Sequence, residues 1–497
     1  MRAINLLLFA SPFIASAILT WLTLGVSYLF WLNFLVWLAT FAGGFIFLNF
    51  MSLSRGRDEE MYLTSEARDL RVASLVTSFN EDPEMVETTL ISVIEATRGR
   101  GDVYLLDDST NINISRELRS FCYTHNVTYV HREDRKGFKA GAINNVLRSL
   151  RGYDVIAIFD ADQRPKRNFF DDVLQYFSDP DVAMVQVPQT YSESPTLVAK
   201  GSTYKQEPFL RLIMRGRNRR SAFSLGSGSV FRLSALREVN FFDEESITED
   251  AATTIRLYQR GYKVVYVDTP LIWYGEPPKD ASGFISQQTR WALGYFQLLK
   301  NLLRSNLKAK VFFDFVSGFF YWLKEGPLAL IELIAPSVFL LSGLPFITLN
   351  PIIYMVAYSP YIILSMTFFF YAMKGKDYGI KGFLYHQFVE YLEFFGITLA
   401  FLAWVLRRKV PFKVTPKRKG RVSLRVIMPH LSILILLIIS IVKGTLELST
   451  TSDMLLVYSI YVNLFWAFYQ SFFLSGSILF AVKMGGEEEA NLVKEKT

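Results

Sequence analysis

Several short segments of this chain combine residue types and spacings that could do chemistry. Asp160-Ala161-Asp162 sets two carboxylates one residue apart, and Asp107-Asp108 forms a second acidic pair upstream. Carboxylates at that spacing suit a divalent cation that bridges two phosphates, because Mg2+ keeps few protein ligands and prefers substrate oxygens. A lone pair of this kind also reads as a solvated turn. Between the pairs, Lys136-Gly137-Phe138-Lys139-Ala140-Gly141-Ala142-Ile143-Asn144 offers two cations, with small residues where a backbone must approach a phosphate. It lacks the GxxxxGK spacing of a P-loop, which argues against a nucleotide triphosphatase. Thr248-Glu249-Asp250 reads in two compatible ways. Thr248 can cap a helix whose first turn carries acids, and Asp250 can act as a base toward an acceptor hydroxyl. Gln287, Arg290 and Trp291 fall at i, i+3 and i+4 of a helix expected over 281–305, hence on one face. They read either as interfacial anchors or as a ring that stacks on a sugar beside a guanidinium that holds a diphosphate.

The elements that must position these residues alternate. Short apolar runs over 71–79, 103–106, 127–130 and 155–159 read as buried strands, and Pro83-Glu84 opens a helix that runs to Thr97. Strands alternating with helices predict a largely parallel sheet covered on both faces. Ligands bind such sheets beyond the C-terminal strand ends, where both acidic pairs sit.

This charged region is set between apolar ones. Hydrophobic residues make up 51% and charged residues 20% of the 497 positions, too apolar for a soluble chain of this size. A hydrocarbon core needs roughly 20 apolar residues per helix. Spans are expected over 6–24, 28–50, 326–344, 351–373, 424–442 and 455–482. The stretch 382–406 carries His386, Glu390 and Glu393 and reads as an interfacial or protein-buried helix. An even number of spans on each side then leaves the charged domain, both termini and the loop 407–421 in one compartment. That loop holds Arg407, Arg408, Lys409, Lys413, Lys417, Arg418, Lys419 and Arg421, whereas the opposite loops carry no Lys or Arg. The positive-inside rule makes the basic side cytoplasmic, in an integral, multi-pass plasma-membrane protein. The formal charge of +7 is largely this asymmetry, so no nucleic-acid partner is expected. The single Cys122 excludes an intrachain disulfide and fits a reducing compartment.

Asp107-Asp108, Asp160-Ala161-Asp162, Thr248-Glu249-Asp250 and Gln287-Gln288-Thr289-Arg290-Trp291, in this order, resemble the processive family-2 glycosyltransferases: cellulose, chitin, hyaluronan and mannan synthases. Phe412-Lys413-Val414-Thr415-Pro416-Lys417 looks like the FxVTxK gating loop of cellulose synthase catalytic subunits and cellulose synthase-like enzymes. The resemblance covers nearly the whole chain. It implies a GT-A-like nucleotide-sugar-binding α/β domain inserted in a polytopic α-helical membrane protein. The organisation would be two transmembrane helices (1–53), a cytoplasmic glycosyltransferase domain (54–280) and an amphipathic interfacial helix (281–310). Transmembrane and interfacial helices (311–406), the gating loop (407–421), two transmembrane helices (422–483) and a cytoplasmic tail (484–497) would follow.

Carried over by position, the resemblance implies that Phe79, Glu81 and Asp108 contact the nucleobase, while Asp160 and Asp162 hold nucleotide and Mg2+ or Mn2+. Lys139 would lie near the diphosphate, Gln189 would border the donor pocket, and Gly226 and Ser227 would position the acceptor end. Asp250, beside Glu249, would be the base. Gln287, Arg290 and Trp291 would hold diphosphate and acceptor sugar, and Thr415 and Lys417 would close over bound nucleotide. The implied reaction is metal-dependent, inverting and processive transfer from a nucleotide sugar, with UDP-glucose favoured, to a growing polysaccharide that crosses the membrane. The implied partners are the nucleotide sugar, the polysaccharide acceptor and the bilayer, with room left for accessory subunits.

Mannan-, chitin- or hyaluronan-type synthesis and single-sugar transfer to a lipid remain as alternatives, as does a transporter with a soluble regulatory domain. Two departures stand out. The chain ends at Thr497, so the C-terminal cyclic-dinucleotide-binding domain of bacterial cellulose synthases, and the regulation it brings, are not expected. Arg211, Arg215, Arg217, Arg219 and Arg220 also crowd the segment before Gly226. A membrane-facing helix meeting anionic lipid is the preferred reading of that cluster, and recognition of a charged acceptor is the other.

Overall fold

The computed structural model describes residues 30–54, 69–191, 196–275, 277–344, 350–375, 378–408 and 424–483. The span expected over 6–24, the tail and the gating-loop residues Thr415 and Lys417 lie outside them.

The central sheet has the order β3-β2-β1-β4-β8-β6-β9. It is built from β1 (Val72–Ser78), β2 (Gly101–Asp107), β3 (Thr128–His131), β4 (Val155–Asp160), β6 (Val182–Gln186), β8 (Ser229–Arg232) and β9 (Lys263–Tyr266). All pairings are parallel except those of β8, which runs against both β4 and β6. A small sheet of β5 (Arg164–Pro165), β10 (Ile272–Tyr274) and β7 (Thr190–Tyr191) lies apart from it. The strands are apolar on both faces because both faces are covered. Ala73, Leu75, Ile156 and Ile158 belong to one core with Ile143 and Leu147 of helix α4 (Phe138–Ser149). Val72, Val76, Val155 and Phe159 belong to the other, with Leu90 of α2 (Pro83–Thr97) and Leu118 of α3 (Ile112–Thr124). Pro83 opens α2 after Asp82, whose carboxylate accepts from Glu84 N.

Six helices among the described residues are long and apolar enough to cross a membrane. They include α1 (Phe30–Leu53), α10 (Pro351–Ala372), α11 (Gly379–Val405), α12 (Leu424–Leu448) and α13 (Met454–Val482). The sixth is one run formed by α8 (Ala309–Leu323), a π-helical turn Lys324–Leu328 and α9 (Ala329–Ser342). It begins well before the expected boundary at residue 326. Lys324 and Glu325 lie inside the run, and Lys324 is paired with Glu332 one turn beyond the π-turn, so the helix carries the charge inside the bundle.

α11 also meets the length and hydropathy of a span. It nonetheless runs along two helices of the catalytic region, α5 (Leu197–Pro208) and α7 (Ala281–Leu303). A Cβ on Gly382 would meet the Tyr204 ring at 2.9 Å, and Trp404, at the far end, stacks on Phe296.

The arginine cluster turns inward, which corrects the lipid-facing reading. Arg211 and Arg215 pair with Asp268. Arg220 pairs with the buried Asp314 of α8, and Arg217 is buried with Nη2 donating to Asp314 O at 2.5 Å. Sequence proximity made five cations look like a surface; carboxylates distant in sequence pair with three of them, Arg211, Arg215 and Arg220.

Candidate active site

The end of β4 and the entry to β8 meet at one edge of the sheet. Asp160 closes β4. Lys139, in the first turn of α4, places Nζ 2.5 Å from Asp160 Oδ1 and donates to Gly226 O at 2.8 Å. Asp160 N donates to Ser227 Oγ at 2.8 Å, and that hydroxyl donates to Gln163 Oε1. Gln189, buried, supports the same loop, its Nε2 donating to Leu225 O and Ser227 O at 3.1 and 3.0 Å. Gly226 has φ +86°, where glycine is favoured, and a Cβ there would lie 3.1 Å from Asp250 Oδ2 and 3.8 Å from Lys139 Nζ. Lys139, Asp160, Gly226, Ser227 and Asp250 therefore converge.

Glu249 and Asp250 open helix α6 (Glu249–Gln259). Thr248 stands at the N-cap without a side-chain capping bond, so capping alone does not explain the motif. Asp250 Oδ1 accepts from Ala251 N at 2.7 Å. Burial raises the Asp250 carboxyl to about 6, against the Ala251 amide and Lys139, which pull it down. Burial and then the Asp250 charge raise Glu249 to about 7. Burial alone would lower Lys139, but Asp160, Glu249 and Asp250 outweigh it and the ammonium is held above its ordinary value. A carboxylate poised near neutrality beside a fixed cation is suited to proton abstraction.

The upstream acids sit deeper. Asp107 accepts from Tyr129 Oη at 2.8 Å, and Asp108 is held by Arg132 through Nε at 3.0 Å and Nη2 at 2.5 Å. Arg132 also donates to the carbonyls of Lys136 and Phe138. A Cβ on Gly141 would strike the Lys136 carbonyl, so this glycine serves the turn itself rather than phosphate approach. Arg135 lies 3.4 Å over the Phe79 ring. The sequence carries no sign of either contact: Asp108 lies 24 residues before Arg132, and Phe79 lies on a different segment from Arg135. Glu81 lies half-buried beyond the end of β1.

Gln287, Arg290 and Trp291 occupy α7. Gln287 is buried, near the Tyr191 hydroxyl that Gln206 also contacts at 2.8 Å. Trp291 packs on a cluster with Phe296, Trp322 and Ile397. Two glycines bind these parts together. A Cβ on Gly294 would lie 2.9 Å from Thr248 Oγ1 and closer to its methyl, so α7 touches the start of α6 where Asp250 begins. A Cβ on Gly275 would overlap the Asp162 carboxylate. Gly294, a helix-interior glycine three residues after Trp291, was the sequence sign of the first contact.

Residues 155–373 match the family described as glycosyl transferase family group 2. The chain carries a family 2 glycosyltransferase domain. A UDP-forming cellulose synthase catalytic subunit of Xanthomonas axonopodis pv. citri (strain 306) is 33% identical over 234 residues, 45% of this chain and 31% of that protein. Cellulose synthase 2 of Novacetimonas hansenii is 26% identical over 385 residues, 74% of this chain and 24% of that protein. The chain thus spans less than a third of the length of either relative. The mannosyltransferase PcManGT from Pyrobaculum calidifontis, solved in complex with GDP-Man and Mn2+, superposes with a TM-score of 0.51 at 16% identity, covering 76% of this chain and 99% of that one. The family 2 domain accordingly has a GT-A-like fold with a mixed sheet.

Proposed function

We propose that this protein extends a polysaccharide by inverting transfer of a sugar from a nucleotide sugar. The observation that carries the reading is the convergence of Lys139, Asp160, Gly226 and Asp250 at one sheet edge. Asp250 takes the proton of an acceptor hydroxyl resting near Gly226. The acceptor oxygen forms its bond to the anomeric carbon as the bond to the phosphate oxygen breaks, and the electron pair leaves on the nucleoside diphosphate. Lys139 and Arg290 stabilise that growing charge. Asp160 already holds an ammonium at 2.5 Å, which marks it as a cation position, and Asp162 follows two residues on. These carboxylates would hold Mg2+ or Mn2+, which supplies Lewis-acid stabilisation of the diphosphate. Phe79, Glu81 and Asp108 face the base, Gln189 supports the donor loop, and Ser227 orients the acceptor end. Gln287 and Trp291 seat the acceptor sugar, with Thr415 and Lys417 closing from the gating loop.

UDP-glucose is the favoured donor because the relatives named above include a UDP-forming cellulose synthase. Successive additions without release are supported by Gln287, Arg290 and Trp291 lying on the helix that packs on the membrane bundle. The basic loop 407–421 supports a cytoplasmic domain by the positive-inside rule, and the product would leave between the helices. Purified protein with Mg2+ or Mn2+ and UDP-glucose, UDP-GlcNAc, UDP-glucuronate or GDP-mannose is the test. A glucanase-sensitive polymer from UDP-glucose is expected. No donor consumed, with Asp250→Asn indistinguishable from wild type, sinks the reading.

A further inference from the structure

Between α1, α9, α10, α11 and α13 lies a cavity of about 400 Å3, lined by Tyr354, Tyr358, Tyr361, Tyr391, Trp466 and Tyr469 among others. Four ionisable side chains also line it: Lys324, Glu325, Glu332 and Glu390. Lys324 is neutralised by Glu332, and Glu325 and Glu390 present carboxyl groups to the cavity. Charges of both signs lie behind the wall. Lys205 pairs with the buried Glu393 and stands 3.8 Å from Glu390, and His386 Nε2 stands 3.4 Å from Glu390. Lys324 and Glu325 belong to the π-turn that breaks the α8–α9 run, and irregular backbone at membrane depth is tolerated where it lines a cavity. Packed side chains lie between the cavity and the transferase site: Trp291, Tyr321 and Trp322 share one cluster, and Tyr321 Oη donates to Glu390 Oε1 at 3.4 Å.

We propose that this cavity selects the product by charge, admitting a sugar chain without carboxylates and rejecting one that contains uronate. The proposal rests on the reading that product leaves between the helices. Aromatic rings stack on sugar faces, and the glutamates accept from sugar hydroxyls by charge-assisted bonds. The same glutamates repel a uronate in a poorly screened setting, with a discrimination on the order of tenfold to a hundredfold for one like charge at about 6 Å.

Equilibrium binding tests this without turnover. The full chain in nanodiscs is titrated calorimetrically with a neutral glucan tetrasaccharide and with a tetraglucuronate. The neutral sugar should bind at least tenfold more tightly. Glu325→Gln with Glu390→Gln should bring the two within about threefold, and Glu332→Gln, which releases the Lys324 charge, should shift the preference toward the uronate. Equal affinities in the wild type, or a gap unchanged in the double variant, overturns the selection. Neither sugar binding to a chain that consumes donor overturns the cavity assignment. Preserved discrimination in a chain that consumes no donor instead strikes only the transferase reading.

Discussion

Replacing Asp250 with Asn should abolish transfer and stabilise the protein at alkaline pH. The folded carboxyl keeps its proton up to about pH 6, whereas an unfolded aspartate releases it near 4. Stability from that proton is therefore full below the unfolded value and is lost as pH rises through the folded one. Fully expressed, the shift corresponds to about 3 kcal/mol. Asp250 opens onto the cleft and Lys139 compensates part of the charge, so a gain on the order of 1–2 kcal/mol at pH 8 is expected for the neutral amide. Asn retains an oxygen for the Ala251 amide, so the helix start survives. Thermal unfolding of wild type and variant at pH 4.5 and pH 8 reads this as a Tm increase of about 2–6 °C at the higher pH alone, and transfer should fall by roughly 10²–10⁴. A variant equally shifted at both pH values, or destabilised at pH 8, would show that Asp250 is not a strained buried acid.

Three further outcomes follow from the same geometry. The transfer rate of the wild type should rise with pH through about 6 to 7, as Asp250 and Glu249 lose their protons; a flat profile over pH 5–8 at saturating donor would contradict the base role. Gly294→Ala should cost about 1–3 kcal/mol by overpacking against Thr248, and kinetics should show a lower kcat with little change in KM for the nucleotide sugar. Arg132→Met leaves Asp108 buried opposite an apolar side chain, which should cost about 3–5 kcal/mol by denaturant or thermal unfolding.

The acidic motifs were legible because each ends an apolar run or opens a helix, and local patterning reports such boundaries well. Asp160 ends β4, and Glu249 begins α6. Contacts between segments distant in sequence left no such trace. The pairing of Arg220 with Asp314 could not be read from a cluster of five arginines, nor could the approach of Gly294 to Thr248. The span beginning before residue 326 was hidden too, because a charge such as Lys324 in an apolar stretch carries no sign of its partner, here Glu332. The reversed direction of β8 was equally silent, since a four-residue buried strand has the same composition either way.

That reversal has a consequence for how the site could be altered. Because β8 enters the sheet at the edge where its parallel neighbours leave, Ser229 sits beside Ile158 and the residues just before it reach Asp160 directly. The surface beside Asp250 is thus a single contiguous stretch, Ser224 to Gly228, anchored at its base by Gln186 and Gln189. Exchange of that short cassette between related chains, with Ser227 and the turn at Gly226 kept, would remodel the surface beside Asp250 while preserving the bonds to Asp160 and Lys139.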